Sequence, residues 1–144
     1  MLVQQILKEK GDARVVTVQP GTLVRDAAKI LADRRIGTVV VSGDGETADG
    51  ILSERDIVRE LGNRGAACMS DQVDELMTSK LVTCSLADDA VGVLEKMTEG
   101  RFRHMPVVEE GKLIGLITLG DVVKARLSEV AMEKDALEGM IMGH

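Results

Sequence analysis

Two short stretches of this 144-residue chain place a hydroxyl residue three positions ahead of an aspartate. They read GILSERDIVR at 50–59 and GLITLGDVVK at 115–124, pairing Ser53 with Asp56 and Thr118 with Asp121. One chemistry for this spacing is local. At a helix start the hydroxyl takes a free N–H of the first turn, and the carboxylate suits the positive helix end. The other chemistry is recognition. An ionised aspartate offers only acceptors, and its two oxygens match the two vicinal hydroxyl donors of a ribose. Such charge-assisted bonds are worth roughly 1.5–3 kcal/mol each when formed. The neighbouring hydroxyl and the helix N-terminus can receive phosphate or ribose oxygens. Spacing alone leaves both readings open.

The remaining reactive side chains are few. Cys68 and Cys84 have no metal-ligand spacing, and only His104 and His144 could assist them. Cys84 lies in an apolar segment and reads as a small buried residue. Cys68 lies in a linker and is expected to be open to solvent, with only Arg64 nearby to lower its pKa. No Gly-rich loop ending in Gly-Lys-Ser/Thr is present, and SGDGETADG at 42–50 lacks the calcium-loop spacing and its closing Glu, so it reads as a polar hairpin. With His104 the only internal histidine, no Ser-His-Asp or Cys-His set can be assembled. The expectation is a protein without catalytic machinery, resident metal or catalytic cofactor.

Composition narrows the partners. Lys and Arg number 18 against 24 Asp and Glu, a net charge of −6 that argues against general nucleic-acid binding. Phe102 is the only aromatic residue besides histidine, so stacking platforms for single strands are absent. No apolar run of about 18 residues exists and the N-terminus carries no secretory stretch, so no membrane association and a cytoplasmic, reducing compartment are expected.

What must position the two motifs is an internal repeat. VVTVQPGTLVRDAAKILADRRIGTVVV (15–41) aligns without a gap on LVTCSLADDAVGVLEKMTEGRFRHMPV (81–107) at an offset of 66. Val24, Ala27, Ala28 and Leu31 fall on Ala90, Val93, Leu94 and Met97, giving one apolar helix face twice. Short apolar runs at 38–41 and 105–108 read as strands, followed by the hairpin loops SGDGETAD and EEGK. Second strands begin at Gly50 and Gly115, and each leads into a helix, 56–61 and 121–127. Even the lead-in recurs, VQQIL at 3–7 and VDELM at 73–77. The fold expected is mixed α/β (α+β): two β-α-β-β-α repeats packed sheet to sheet about a pseudo-twofold axis, sharing one core and leaving two related clefts. The boundaries are 1–61, a linker at 62–72, 73–128, and a helical tail at 129–144 docking on this or a neighbouring subunit through Met132, Leu137, Met140 and Ile141.

With both copies in register, residues 1–128 resemble a tandem pair of cystathionine-β-synthase-type (CBS) domains, a Bateman module, in its small stand-alone form. The resemblance implies ligand sensing, with an adenosine compound in the inter-repeat clefts: AMP foremost, with ATP, ADP, NAD(H) or S-adenosylmethionine as further ligands. It implies that Asp56 and Asp121 clamp ribose beside Ser53 and Thr118, and that the backbone of Thr17-Val18 and Thr83-Cys84 reads the adenine edge. It implies phosphate contact at Arg103 and His104, followed by Met105 and Pro106; Gly37 and Thr38 stand at the matching positions of the first copy. On this basis Asp121, Thr118, Arg103 and His104, closed by Thr17 and Val18, form the better phosphate site. Asp56 and Ser53 with Thr83 and Cys84 form the weaker one. The resemblance further implies a homodimer and an unidentified protein partner that responds to a ligand-induced shift. The competing expectation is a ligand-free dimerisation or interaction scaffold in which both aspartates serve only as caps.

Overall fold

A computed structural model describes residues 1–11 and 15–142. In chain order the elements are α1 (Val3–Lys10), β1 (Thr17–Val18), α2 (Val24–Arg34), β2 (Thr38–Val41), β3 (Gly50–Ser53), α3 (Glu54–Arg64), a 3-10 segment (Gly65–Ser70), α4 (Val73–Leu76), α5 (Ala90–Gly100), β4 (His104–Glu109), β5 (Lys112–Thr118) and α6 (Leu119–Ile141). The 66-residue offset is visible in the helices: α2 and α5 are both 11 residues long and begin 66 apart. Each buries three side chains at helical spacing, Val24, Ala27 and Leu31 against Ala90, Val93 and Met97. Each ends on an arginine in the left-handed conformation, Arg35 at φ 53° and Arg101 at φ 57°.

In the first repeat β1 runs parallel to β2, and β2 pairs antiparallel with β3, Thr38 opposite Ser53. In the second, β4 pairs antiparallel with β5, His104 opposite Thr118, through a two-residue turn whose Glu110 and Gly111 both have positive φ. The expected first strand of this copy is reduced to one bridge: Cys84 N–H donates to the Pro106 carbonyl (3.0 Å), and Val108 N–H donates to the Cys84 carbonyl (2.9 Å).

Side chains alternate across the strands. Val39 and Val41 belong to the first repeat's core cluster, and Met105 and Val107 to the second's. The faces between them, with Thr38, Val40 and Pro106, are buried as well, as two sheets packed on each other require. The expectation of a single shared core is therefore corrected: each repeat has its own cluster.

The lead-in helices are exchanged between these clusters. Val3 and Ile6 of α1 lie in the second repeat's core, and Val73 and Leu76 of α4 lie in the first's. The exchange is symmetric to the hydrogen bond. Val3 N–H donates to Asp88 O and Val73 N–H to Thr22 O, both at 2.8 Å; Ala90 N–H donates to Met1 O (2.9 Å) and Val24 N–H to Asp71 O (2.8 Å). Burying Val3 and Ile6 contributes about 3–6 kcal/mol at most, so α1 belongs energetically to the second repeat.

The exchange explains the glycine that opens each motif. A Cβ on Gly115 would lie 2.9 Å from Leu7 Cδ1 of α1. A Cβ on Gly50 would overlap Met77, beyond α4, and lie 3.1 Å from the Thr78 carbonyl. Each glycine makes room for the exchanged segment.

Three further expectations meet the structure differently. The 62–72 connection is the end of α3 followed by the 3-10 segment, which packs on α2 and α3 and buries Cys68; the expected solvent-open thiol is not found. Helix 121–127 and the tail are one continuous helix, α6. Its Met132, Leu137, Met140 and Ile141 are exposed rather than docked on their own chain. His144 lies outside the described residues. Among the described residues, no helix is long and apolar enough to cross a membrane.

Candidate functional site

Both motifs begin helices, and both close a capping box. Asp56 Oδ2 accepts from the Ser53 N–H (2.9 Å) and hydroxyl (3.0 Å), while Asp56 N–H donates to Ser53 Oγ (3.3 Å). Asp121 Oδ2 accepts from Thr118 N–H (2.9 Å), and Asp121 N–H donates to Thr118 Oγ1 (3.1 Å). The cap chemistry is thus present at both sites, and the two carboxylates differ in what else they meet. Asp56 Oδ1 receives Arg59 of its own helix at 2.8 Å. Asp121 Oδ2 receives Lys10 of the exchanged helix α1, also at 2.8 Å.

The Asp56 end opens into a cleft of about 920 Å³ between the repeats. From the first repeat it is lined by Ser53, Glu54, Arg55, Asp56 and Arg59. The approach to the second contributes Thr78, Lys80, Leu81 and Val82, and the turn after α5 contributes Arg101, Phe102, Arg103 and His104. Arg103 and His104, grouped from the sequence with Thr118 and Asp121, thus also line the cleft of Asp56. Strand pairing does set His104 beside Thr118, but the start of β4 also faces the α3 N-terminus across the pseudo-twofold axis. At that junction a Cβ on Gly37 would lie 3.4 Å from Glu54 Oε1 and 3.6 Å from His104 Cε1.

The other singled-out residues surround this arrangement without lining the cleft. Val18, Cys84 and Met105 sit in the two cores, and Pro106 is buried between sheets, so their side chains are closed to a ligand. Thr17 and Thr83 are exposed. Cys84 spends both backbone groups on β4, so the strand's geometry turns the N–H and C=O of Thr83 to the open edge, beside Leu81 and Val82. Thr38 is buried with its hydroxyl unpartnered. Lys80, Arg101, Arg55 and Arg59 were not singled out from the sequence. For Lys80 a signal existed: VQQILKEK (3–10) and VDELMTSK (73–80) align at an offset of 70 and both end in lysine.

Electrostatics separates this cleft from the rest of an acidic chain. Five cations, Arg55, Arg59, Lys80, Arg101 and Arg103, line it against two acids, Glu54 and Asp56. Burial pushes His104 below its ordinary pKa, overriding the opposing pull of Glu54, so at neutral pH it is an uncharged imidazole. Burial alone would raise Asp121, but Lys10 and the Thr118 N–H hold it below the usual carboxylate value. Cys84 is pushed up to about 11 by burial, which makes it an inert thiol. Among the described residues, no three His, Cys, Asp or Glu side chains converge as a metal site would require. The arrangement can bind a ligand with hydroxyl donors at one end and negative charge at the other.

Comparison with known proteins agrees with this architecture. The family model for the CBS domain matches residues 10–63 and 73–128, and the chain belongs to the CBS-domain family. The mitochondrial CBS domain-containing protein CBSX3 of Arabidopsis thaliana is 30% identical, over 98% of this chain and 72% of its own. Among solved structures, the CBS-domain containing protein ATU1752 from Agrobacterium tumefaciens superposes with a TM-score of 0.83 at 42% identity, covering 88% of this chain and 99% of that one. The CBS domain protein PAE2072 from Pyrobaculum aerophilum, solved complexed with AMP, has a TM-score of 0.77 at 25% identity, covering 92% of this chain and 99% of that one.

Proposed function

We propose that this pair of CBS domains is a regulatory module that binds an adenine nucleotide in the Asp56 cleft. One observation carries the reading: a single cleft joins the Ser53–Asp56 carboxylate of one repeat to Lys80, Arg101 and Arg103 of the other. A nucleotide fits with ribose on Asp56, adenine along the Thr83 edge and apolar Leu81 and Val82, and phosphate toward the arginines, which bind phosphate bidentately. The AMP complex of the Pyrobaculum relative supports the ligand class. The excess of cations favours longer phosphate chains, so affinity rises from AMP to ADP to ATP.

Such a ligand bridges the repeats, and it shifts their relative orientation only by its differential affinity for the two arrangements. That shift is the signal to a protein partner, and the role is regulatory rather than catalytic. The exposed face of α6 supports a homodimer. Val123, Leu127, Val130, Leu137 and Ile141 follow heptad spacing with Lys134 filling the one gap, the pattern of a helix seam that pairs with a second helix. Equilibrium sedimentation giving a monomer at micromolar concentration contradicts the dimer.

A thermal-shift panel of adenosine, AMP, ADP, ATP and NAD(H) tests the ligand class. At a hundredfold excess over Kd, bound ligand adds about 2.7 kcal/mol, a rise of roughly 5–10 °C. No shift with any of them at millimolar concentration leaves the scaffold reading in its place.

A further inference from the structure

The second carboxylate is already occupied by the chain itself. Lys10 Nζ donates to the Leu116 carbonyl (3.0 Å) and meets Asp121 Oδ2 (2.8 Å), with side-chain exposures of only 27% and 21% for the pair. We propose that Lys10 is an intramolecular latch on the Asp121 half-site, so that the chain takes up one nucleotide where its symmetry offers two. This rests on the nucleotide reading of the Asp56 cleft.

The latch follows from how the two exchanged segments end. Lys10 and Lys80 are counterparts, each seven residues beyond the valine that enters the opposite core. α4 stops at Leu76, because Thr78 is drawn into an antiparallel bridge with Ile51, and the extended chain delivers Lys80 to the open cleft. α1 remains helical to Lys10 and ends on Gly11, which has φ 75° and donates its N–H to the Lys8 carbonyl. Leu7, seated over Gly115, fixes the same helix face one turn earlier, and a residue three positions on lies above it. Lys10 is thereby aimed at the β5–α6 junction.

Charge decides the competition. Ribose hydroxyls are neutral donors, whereas the ammonium is a charged one already seated on the same carboxylate in a half-buried setting, so displacing it weakens binding about tenfold or more. Arg59 is not a comparable latch on Asp56. Asp56 itself is more buried than Asp121 (side-chain exposure 11% against 21%), but the Arg59 side chain is 62% exposed and among the described residues makes no second hydrogen bond, so it can swing off the carboxylate at little cost.

Titration calorimetry with ATP on the full chain tests this, using wild type, Lys10→Met and Lys10→Gln, each checked for helix content by circular dichroism. Wild type is expected to bind one ATP per chain, and both variants two, the added event at least tenfold tighter than any second event in wild type. In the Lys10→Met background, adding Asp121→Asn returns the count to one. Two equivalent sites in wild type, or one site in both folded Lys10 variants, overturn the latch while leaving the Asp56 reading standing. No ATP binding to wild type overturns both.

Discussion

The two halves begin from nearly the same parts. Each has an 11-residue helix ending on a left-handed arginine, a hairpin whose second strand carries a glycine beneath an exchanged segment, and an aspartate closing a capping box. They diverge through the lead-in segments. The one that breaks early leaves Asp56 facing a basic cleft, and the one that stays helical delivers a lysine onto Asp121. A duplicated motif is therefore not a duplicated site: the capping role is present in both copies, and what else each carboxylate meets, Arg59 of its own helix or Lys10 of an exchanged one, is set by the packing around it.

The largest expected effect separates the exchanged segments from the sheets they cover. Gly50→Ala forces a methyl toward the Thr78 carbonyl and Met77, and rigid backbone cannot give way, so a loss of about 2 kcal/mol is expected. Gly115→Ala meets only the end of the Leu7 side chain, which can turn aside, and should cost about half as much. Urea midpoints compare the pair, and equal losses would break the distinction between a backbone and a side-chain seat.

Next in size is the phosphate end. Arg103→Ala should weaken ATP about tenfold and flatten its salt dependence, by loss of a charge-assisted contact in the Asp56 cleft. An unchanged affinity in titration calorimetry would remove Arg103 from that cleft's chemistry.

The smallest effect concerns pH. His104 is held neutral by burial, below its ordinary value of 6.5. The unfolded state therefore binds the extra proton first, and stability declines as pH falls below about 6.5 toward the folded pKa. Denaturation at pH 7.5 and 5.5 should show a steeper loss for wild type than for His104→Gln. Bound ATP should shrink that difference, because phosphate favours the imidazolium; an identical slope in both proteins would place His104 outside the titrating set.

Much of this could be read from the residues. The gapless offset of 66 placed α2 and α5, and Ser53-x-x-Asp56 with Thr118-x-x-Asp121 placed two helix starts, because caps and apolar periodicity are local signals. The exchange of α1 and α4 was hidden. Periodicity shows that Val3 and Ile6 need burial, yet either repeat's core would serve. For the same reason Arg103 was grouped only with the aspartate of its own copy, although it also lines the cleft of Asp56. Cys68 looked exposed amid Gly and Ala, but small residues also suit a 3-10 turn pressed against two helices.

The inequality of the two carboxylates is tested most directly by one paired measurement: ATP affinity by titration calorimetry for Asp56→Asn and Asp121→Asn, which retain most of the capping geometry. Asp56→Asn should weaken ATP about a hundredfold, through loss of two charge-assisted ribose bonds, while Asp121→Asn should leave the wild-type binding event in place. Retained affinity in Asp56→Asn together with lost affinity in Asp121→Asn would contradict the account, and assign the working site to the half that Lys10 covers.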